Sequence, residues 1–86
     1  MSATLLKFPC DFPLKIMGRK TPGFRETVLS LVEPHTGPIA APQVRERDSR
    51  DGNFIALTLV VQAQSQAQLD AIYTVLSAHD QVLMVL

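Results

Sequence analysis

Asn53–Gln64, NFIALTLVVQAQ, is the longest run of strand-forming residues in the chain. Ile55, Leu57, Leu59, Val61 and Ala63 alternate with Phe54, Ala56, Thr58, Val60 and Gln62. The first set is wholly apolar and the second mixed, the pattern of a strand with one face on a core and the other toward water. Ile55–Val61 is uncharged and free of proline, so at a sheet edge it would invite pairing with other chains. It is therefore expected at the centre of a sheet.

Downstream, Ser65 and Gln68 match a capping box at the start of a helix. Leu69, Ile72, Tyr73 and Leu76 then share one helical face, His79-Asp80 closes the helix, and Gln81–Leu86 reads as a short terminal strand. Upstream, Ser49-Arg50-Asp51-Gly52 is a turn with a hairpin signal. Gln43–Asp48 is a polar strand in which Arg45, Glu46, Arg47 and Asp48 alternate in charge, a usual protection for a sheet edge. Pro34, Gly37, Pro38 and Pro42 mark a connecting loop over Pro34–Pro42. Before it, Phe24, Val28, Leu31 and Val32 lie at helical spacing. Thr21 is placed to cap that helix, Pro22 sits where no donor is needed, and Pro34 is expected to end it near Glu33. Phe12–Gly18 is the first strand, with Phe12, Leu14 and Ile16 on one face and Pro13, Lys15 and Met17 on the other. Phe8-Pro9 and Phe12-Pro13 favour extended backbone, and Met1–Lys7 reads as an arm whose Leu5 and Leu6 dock on the body.

The order is β-α-β-β-α-β. Polar and short strands suit edges, and right-handed crossovers then give an α+β, ferredoxin-like βαββαβ sandwich. Its antiparallel four-stranded sheet runs in the order 4-1-3-2, with both helices on one face and the other face open. One domain is expected over residues 1–86, with residues 1–11 as an extended arm.

Composition narrows the function classes. The chain has 86 residues, 47% of them hydrophobic, enough for one core without disulfides. Eight basic side chains balance eight acidic ones, so the long-range field that draws a protein to nucleic acid or an anionic membrane is not expected. Cys10 is the one cysteine, which excludes an internal disulfide and fits a reducing cytoplasm, the expected location. No apolar run is long enough to span a bilayer, and no signal-peptide pattern follows the N-terminus.

Leu6-Lys7-Phe8-Pro9, Lys15-Ile16-Met17-Gly18, Ser49-x-x-Gly52-Asn53-Phe54 and the ending Met84-Val85-Leu86 together resemble the YbeD family of small uncharacterised bacterial proteins. The resemblance covers nearly the full chain, although Pro34–Pro42 is richer in proline than that family's pattern. It implies a ferredoxin-like fold similar to the ACT regulatory domain and no known reaction. Genes of the family often lie near lipoate-biosynthesis genes, so it also implies a regulatory link to lipoate metabolism.

Two places could carry function. Gly18, Arg19, Lys20 and Thr21 lie at a strand-to-helix turn, where free amides and two cations could hold a carboxylate or phosphate. ACT domains commonly hold small effectors near that turn, so the resemblance agrees in position. The bland reading is a glycine turn, a capped helix and a solvated basic pair. The open sheet face would carry Lys15 and Met17 from the first strand and Phe54, Ala56, Thr58 and Val60 from the third, a mixed surface suited to protein contact or dimerisation. RNA-recognition domains share this strand order and stack bases on the same strands. Here the first strand offers Lys15 in place of a ring. Catalysis lacks a nucleophile–base pair: Cys10 has Asp11 but no histidine beside it, and His35 and His79 stand apart. Ligand spacing for a metal is absent, so neither cofactor nor metal is expected. The expectation is a non-enzymatic regulatory or adaptor domain that binds a partner protein, a second copy of itself, or a small anionic metabolite. The alternative is a weak RNA-binding module, nucleic acid ranking below protein as a partner. No membrane association is expected.

Overall fold

The computed structural model describes residues 7–86. Its elements are β1 (Cys10–Arg19), α1 (Phe24–Thr36), β2 (Val44–Asp48), β3 (Phe54–Ala63), α2 (Gln66–Ser77) and β4 (Val82–Val85), with a 3-10 turn at Ala41–Gln43 leading into β2. The sheet order is β2-β3-β1-β4, the expected order seen from its other edge, and every pairing is antiparallel. β3 is central, and it pairs with β1 along the whole of both strands, from Cys10 opposite Ala63 to Arg19 opposite Phe54.

Strand alternation sorts side chains to opposite sides of this sheet. Leu14 and Ile16 of β1 and Ile55, Leu57, Leu59 and Val61 of β3 are buried together with Phe24, Val28 and Val32 of α1 and Ile72 and Leu76 of α2. Both helices therefore cover one face, and the faces expected for Lys15, Met17 and residues 54–61 are those observed.

Several boundaries differ from the sequence reading. β1 begins at Cys10, so the arm assigned to residues 1–11 stops short of Asp11: Cys10 and Asp11 already pair with Ala63 and Gln62. Pro13 is tolerated inside a central strand because of where its missing donor points. Lys15, on the same alternation, exchanges hydrogen bonds with Leu86 on the β4 side. Pro13 faces that side too, at a level β4 does not reach. The docking of Leu5 and Leu6 lies outside the described residues.

Thr21 does not cap α1. The Phe24 amide donates to the Thr21 carbonyl at 3.2 Å, and Gly23 has φ 82° and ψ 5°. That is a type II turn, with Pro22 at its second position and Gly23 at the third, where a positive φ is required. The Thr21 hydroxyl is buried and meets no hydrogen-bonding group among the described residues. At the other end α1 continues past Glu33 and through Pro34 to Thr36. In the last turn Pro34 forfeits only the bond to the Ser30 carbonyl, and Ser30 is exposed. Gly37, at φ 85°, ends the helix by donating its amide to the Glu33 carbonyl at 2.7 Å.

Ser65 caps α2 as expected, its hydroxyl accepting from the Gln68 amide at 3.1 Å. The Gln68 side chain does not close a regular box. It accepts from the Gln64 amide and donates to the His35 carbonyl, tying the start of α2 to the end of α1.

Candidate interaction surface

The face away from the helices is built in rows that the strand register dictates. Arg45 of β2 stands opposite Thr58 of β3, Thr58 opposite Lys15 of β1, and Lys15 beside Leu86 at the end of β4. The adjoining row is Arg47, Ala56, Met17 and Met84. The surface thus grades from cationic at the β2 edge to apolar at the β4 edge. Met17 is 37% exposed, Phe54 38%, Met84 49% and Leu86 61%. Because Ala56 and Thr58 are small, the sheet is hollowed over β3. Two adjoining depressions, of about 510 and 560 Å³, share Met17, Arg47 and Ala56 as lining.

The charge pattern of β2 is resolved by the same alternation. Arg45 and Arg47 point to the open face, whereas Glu46 and Asp48 fall on the helix side. There Glu46 meets Arg25 of α1 at 3.6 Å and Asp48 pairs with Lys20. Both contacts are solvent-exposed and contribute little to stability; their value here is to show which way the carboxylates face. Arg19 joins Lys15, Arg45 and Arg47 on the open face, where Asp11 is the one acidic side chain among the described residues. Among the described residues, no ion pair involves Lys15, Arg19, Arg45 or Arg47.

Lys15, Met17, Phe54, Ala56, Thr58 and Val60 are thus brought together on one surface. Sequence reasoning left out Arg45, Arg47, Met84 and Leu86. The signal for the arginines was present in the two-residue period of Arg45-Glu46-Arg47-Asp48, which a strand must split between its faces.

Gly18, Arg19, Lys20 and Thr21 do not converge on one space. Arg19 points to the open face and Lys20 to the helix side, bound to Asp48. Gly18 is buried against the ring of Phe24. The Lys20 amide is taken by the Asn53 carbonyl and the Phe24 amide by that of Thr21, and Pro22 has none. Carboxylates of Glu26 and Glu46 line the same shallow depression, of about 230 Å³. Lys20 and Arg25 line it too, each already paired with a carboxylate, Asp48 and Glu46 respectively.

The turn from β2 to β3 is held by its own side chains. The Ser49 hydroxyl donates to Asp51 Oδ1 at 2.7 Å and accepts from the Phe54 amide at 3.1 Å, while the Asn53 amide donates to the same Asp51 oxygen at 3.2 Å. These bonds, that from Ser49 first, hold the Asp51 carboxyl below its ordinary value of 3.8. Cys10 is half-buried on β1. His79 Nδ1 accepts from the Gln81 amide at 3.2 Å. Among the described residues no group of three or more His, Cys, Asp or Glu could hold a metal ion, and no helix is long and apolar enough to cross a membrane.

A βαββαβ chain with one sheet face under two helices and the other open is a ferredoxin-like α+β domain. The chain belongs to the family described as "Protein of unknown function (DUF493)", whose model matches residues 3–86. It is 43% identical over 86 residues to a UPF0250 protein of Paraburkholderia phytofirmans, covering 100% of this chain and 97% of that protein. It is 41% identical over 83 residues to UPF0250 protein NE1487 of Nitrosomonas europaea, covering 96% and 95%, and 42% identical over 84 residues to a UPF0250 protein of Neisseria gonorrhoeae, covering 98% and 92%. UPF0250 is the YbeD family, so the resemblance carried by scattered motifs holds along the whole chain. The solution structure of protein HP0495 from H. pylori matches with a TM-score of 0.73 at 15% identity, over 94% of this chain and 85% of that one. At that identity the likeness speaks for the fold.

Proposed function

We propose that this protein is a non-enzymatic regulatory or adaptor domain that binds a partner protein through the open face of its sheet. One observation carries the reading. Met17, Met84 and Leu86 form an exposed apolar area continuous with Lys15, Arg45 and Arg47, on the one sheet face no helix covers. Contiguous apolar surface rimmed by polar groups is what protein contacts use. The family resemblance points to lipoate metabolism as the pathway in which to seek the partner.

The test is affinity capture from a bacterial lysate with the full chain and with a Met17→Asp, Met84→Asp variant shown to be folded by circular dichroism. Proteins retained by the wild type and lost by the variant are expected. Identical retention by both would defeat the reading.

A second reading, RNA binding on the same face, is favoured by Phe54 standing exposed beside cations. It has one ring to stack on where such surfaces use two or three. Binding of a short polyuridine that falls steeply with salt and is lost in Phe54→Ala would establish it.

A further inference from the structure

Resting on the open-face reading, we infer that the partner presents an acidic amphipathic segment, laid along the hollow over Ala56 and Thr58. Its carboxylates would meet Arg45, Arg47 and Lys15, and its apolar side chains would sit on Met17 and Met84.

Complementarity of charge argues for this occupant. The face offers cations from two strands, Arg45 and Arg47 of β2 and Lys15 and Arg19 of β1, on either side of β3, and among the described residues Asp11 is its one acidic side chain. The carboxylates of β2 have been turned to the other side, where Lys20 and Arg25 occupy them. A partner must therefore bring its own negative charge to satisfy guanidinium groups that would otherwise be desolvated unpaired. It must also bring apolar side chains, because Met17, Met84 and Leu86 continue the same rows. Spacing adds a constraint. Arg45 and Arg47 lie two strand positions apart, roughly 7 Å. That matches carboxylates two residues apart in an extended segment or four apart on a helix.

The other occupants fit less well. A second copy laid face to face would bring the same four cations and only the Asp11 side chain against them, leaving most of the guanidinium groups unpaired. A nucleic acid would use the cations and leave Met17, Met84 and Leu86 against a polar ligand.

The test begins with selection of a random displayed peptide library on the immobilised full chain. Synthetic copies of the enriched peptides are then titrated into labelled protein, with amide shifts mapped by NMR. The expected winners combine Asp or Glu at those spacings with Leu, Phe or Met, and shift amides of β2, β3 and β1. Arg45→Glu with Arg47→Glu should weaken them about tenfold or more. Glu26→Gln with Asp70→Asn, on the two helices, should leave affinity within about threefold. Winners without acidic bias, or insensitive to the arginine reversal, overturn the acidic segment while leaving the open face as the contact. Shifts confined to the helix layer, or no winners, overturn both. Self-association through the face, or polyuridine binding there more tightly than any peptide, also overturns the inference.

Discussion

At Gly18, β1 lies close against Phe24 of α1 and Gln81 in the loop before β4. A Cβ placed on it would lie within 3.0 Å of the Phe24 ring and of the Gln81 carbonyl oxygen. Phe24 is 1% exposed and cannot swing into solvent, and the Gln81 oxygen is backbone. Gly18 is not among the residues with positive φ, so alanine meets no conformational strain there and the cost is steric. Overpacking of a filled core costs about 1–3 kcal/mol. Loss of glycine freedom in the unfolded chain returns about 0.4–1 kcal/mol. With a backbone atom on one side and a trapped ring on the other, the upper half of the first range applies, and Gly18→Ala should lose about 2 kcal/mol. For a domain of this size the melting temperature should fall by about 8–16 °C. Urea and thermal unfolding of the full chain would read it. Gly52→Ala is the comparator: at φ 76° with nothing within 4 Å, it should cost about 1 kcal/mol of left-handed strain. A Gly18→Ala variant within about 0.5 kcal/mol of wild type would refute the close approach, since that is the scatter of ordinary surface changes.

Three further outcomes test the description. Leu57→Ala should cost about 2–5 kcal/mol in denaturant unfolding, whereas Val60→Ala, on the other face of β3, should stay within about 0.5 kcal/mol; similar losses would mean the faces are misassigned. Thr21→Val removes a buried hydroxyl that has no protein partner and should be neutral or stabilising by up to about 1 kcal/mol, but a helix cap lost there would destabilise by a like amount. Asp51 has a folded-state value below 3.8, so its stabilising effect is present above that value and lost as pH falls through the lowered one. The stability gap between wild type and Asp51→Asn should therefore narrow as pH falls below 3.8, and a gap constant with pH would refute the Ser49–Asp51–Asn53 arrangement.

The fold was legible because β3 states its two faces residue by residue, and β1 repeats the statement at Leu14, Lys15, Ile16 and Met17. What was misread has local causes. Thr21-Pro22-Gly23 holds two signals, a capping threonine and a proline–glycine turn, and the turn prevails because Gly23 can adopt the positive φ that places the Thr21 carbonyl on the Phe24 amide. Pro34 was given the weight of a mid-helix proline although it stands one turn from the end. Arg19 and Lys20 looked like one basic site because they are adjacent, yet adjacent residues of a strand end lie on opposite sides of a sheet. Conversely, Arg45 and Arg47 were read with Glu46 and Asp48 as one edge of mixed charge, when that same geometry separates them. Tertiary partners decided the remainder: the open face became a graded surface only when the register set β2, β3, β1 and β4 side by side.

The division of charge by β2 changes what neutrality means for this molecule. A formal charge of zero argues against long-range steering toward nucleic acid or an anionic membrane. Salt limits the reach of a charge to about 10 Å at 0.1 M, while the molecule measures 37 × 28 × 22 Å. A body arriving at the sheet is thus within range of Lys15, Arg19, Arg45 and Arg47, while Glu46 and Asp48 are turned to the other side and taken up by Arg25 and Lys20. It meets a cationic protein, and one arriving from the helix side meets an anionic one. The isoelectric point describes neither encounter. Association at the sheet should slow with added salt as it would for a basic protein, and ion exchangers of both signs should retain the chain near neutral pH.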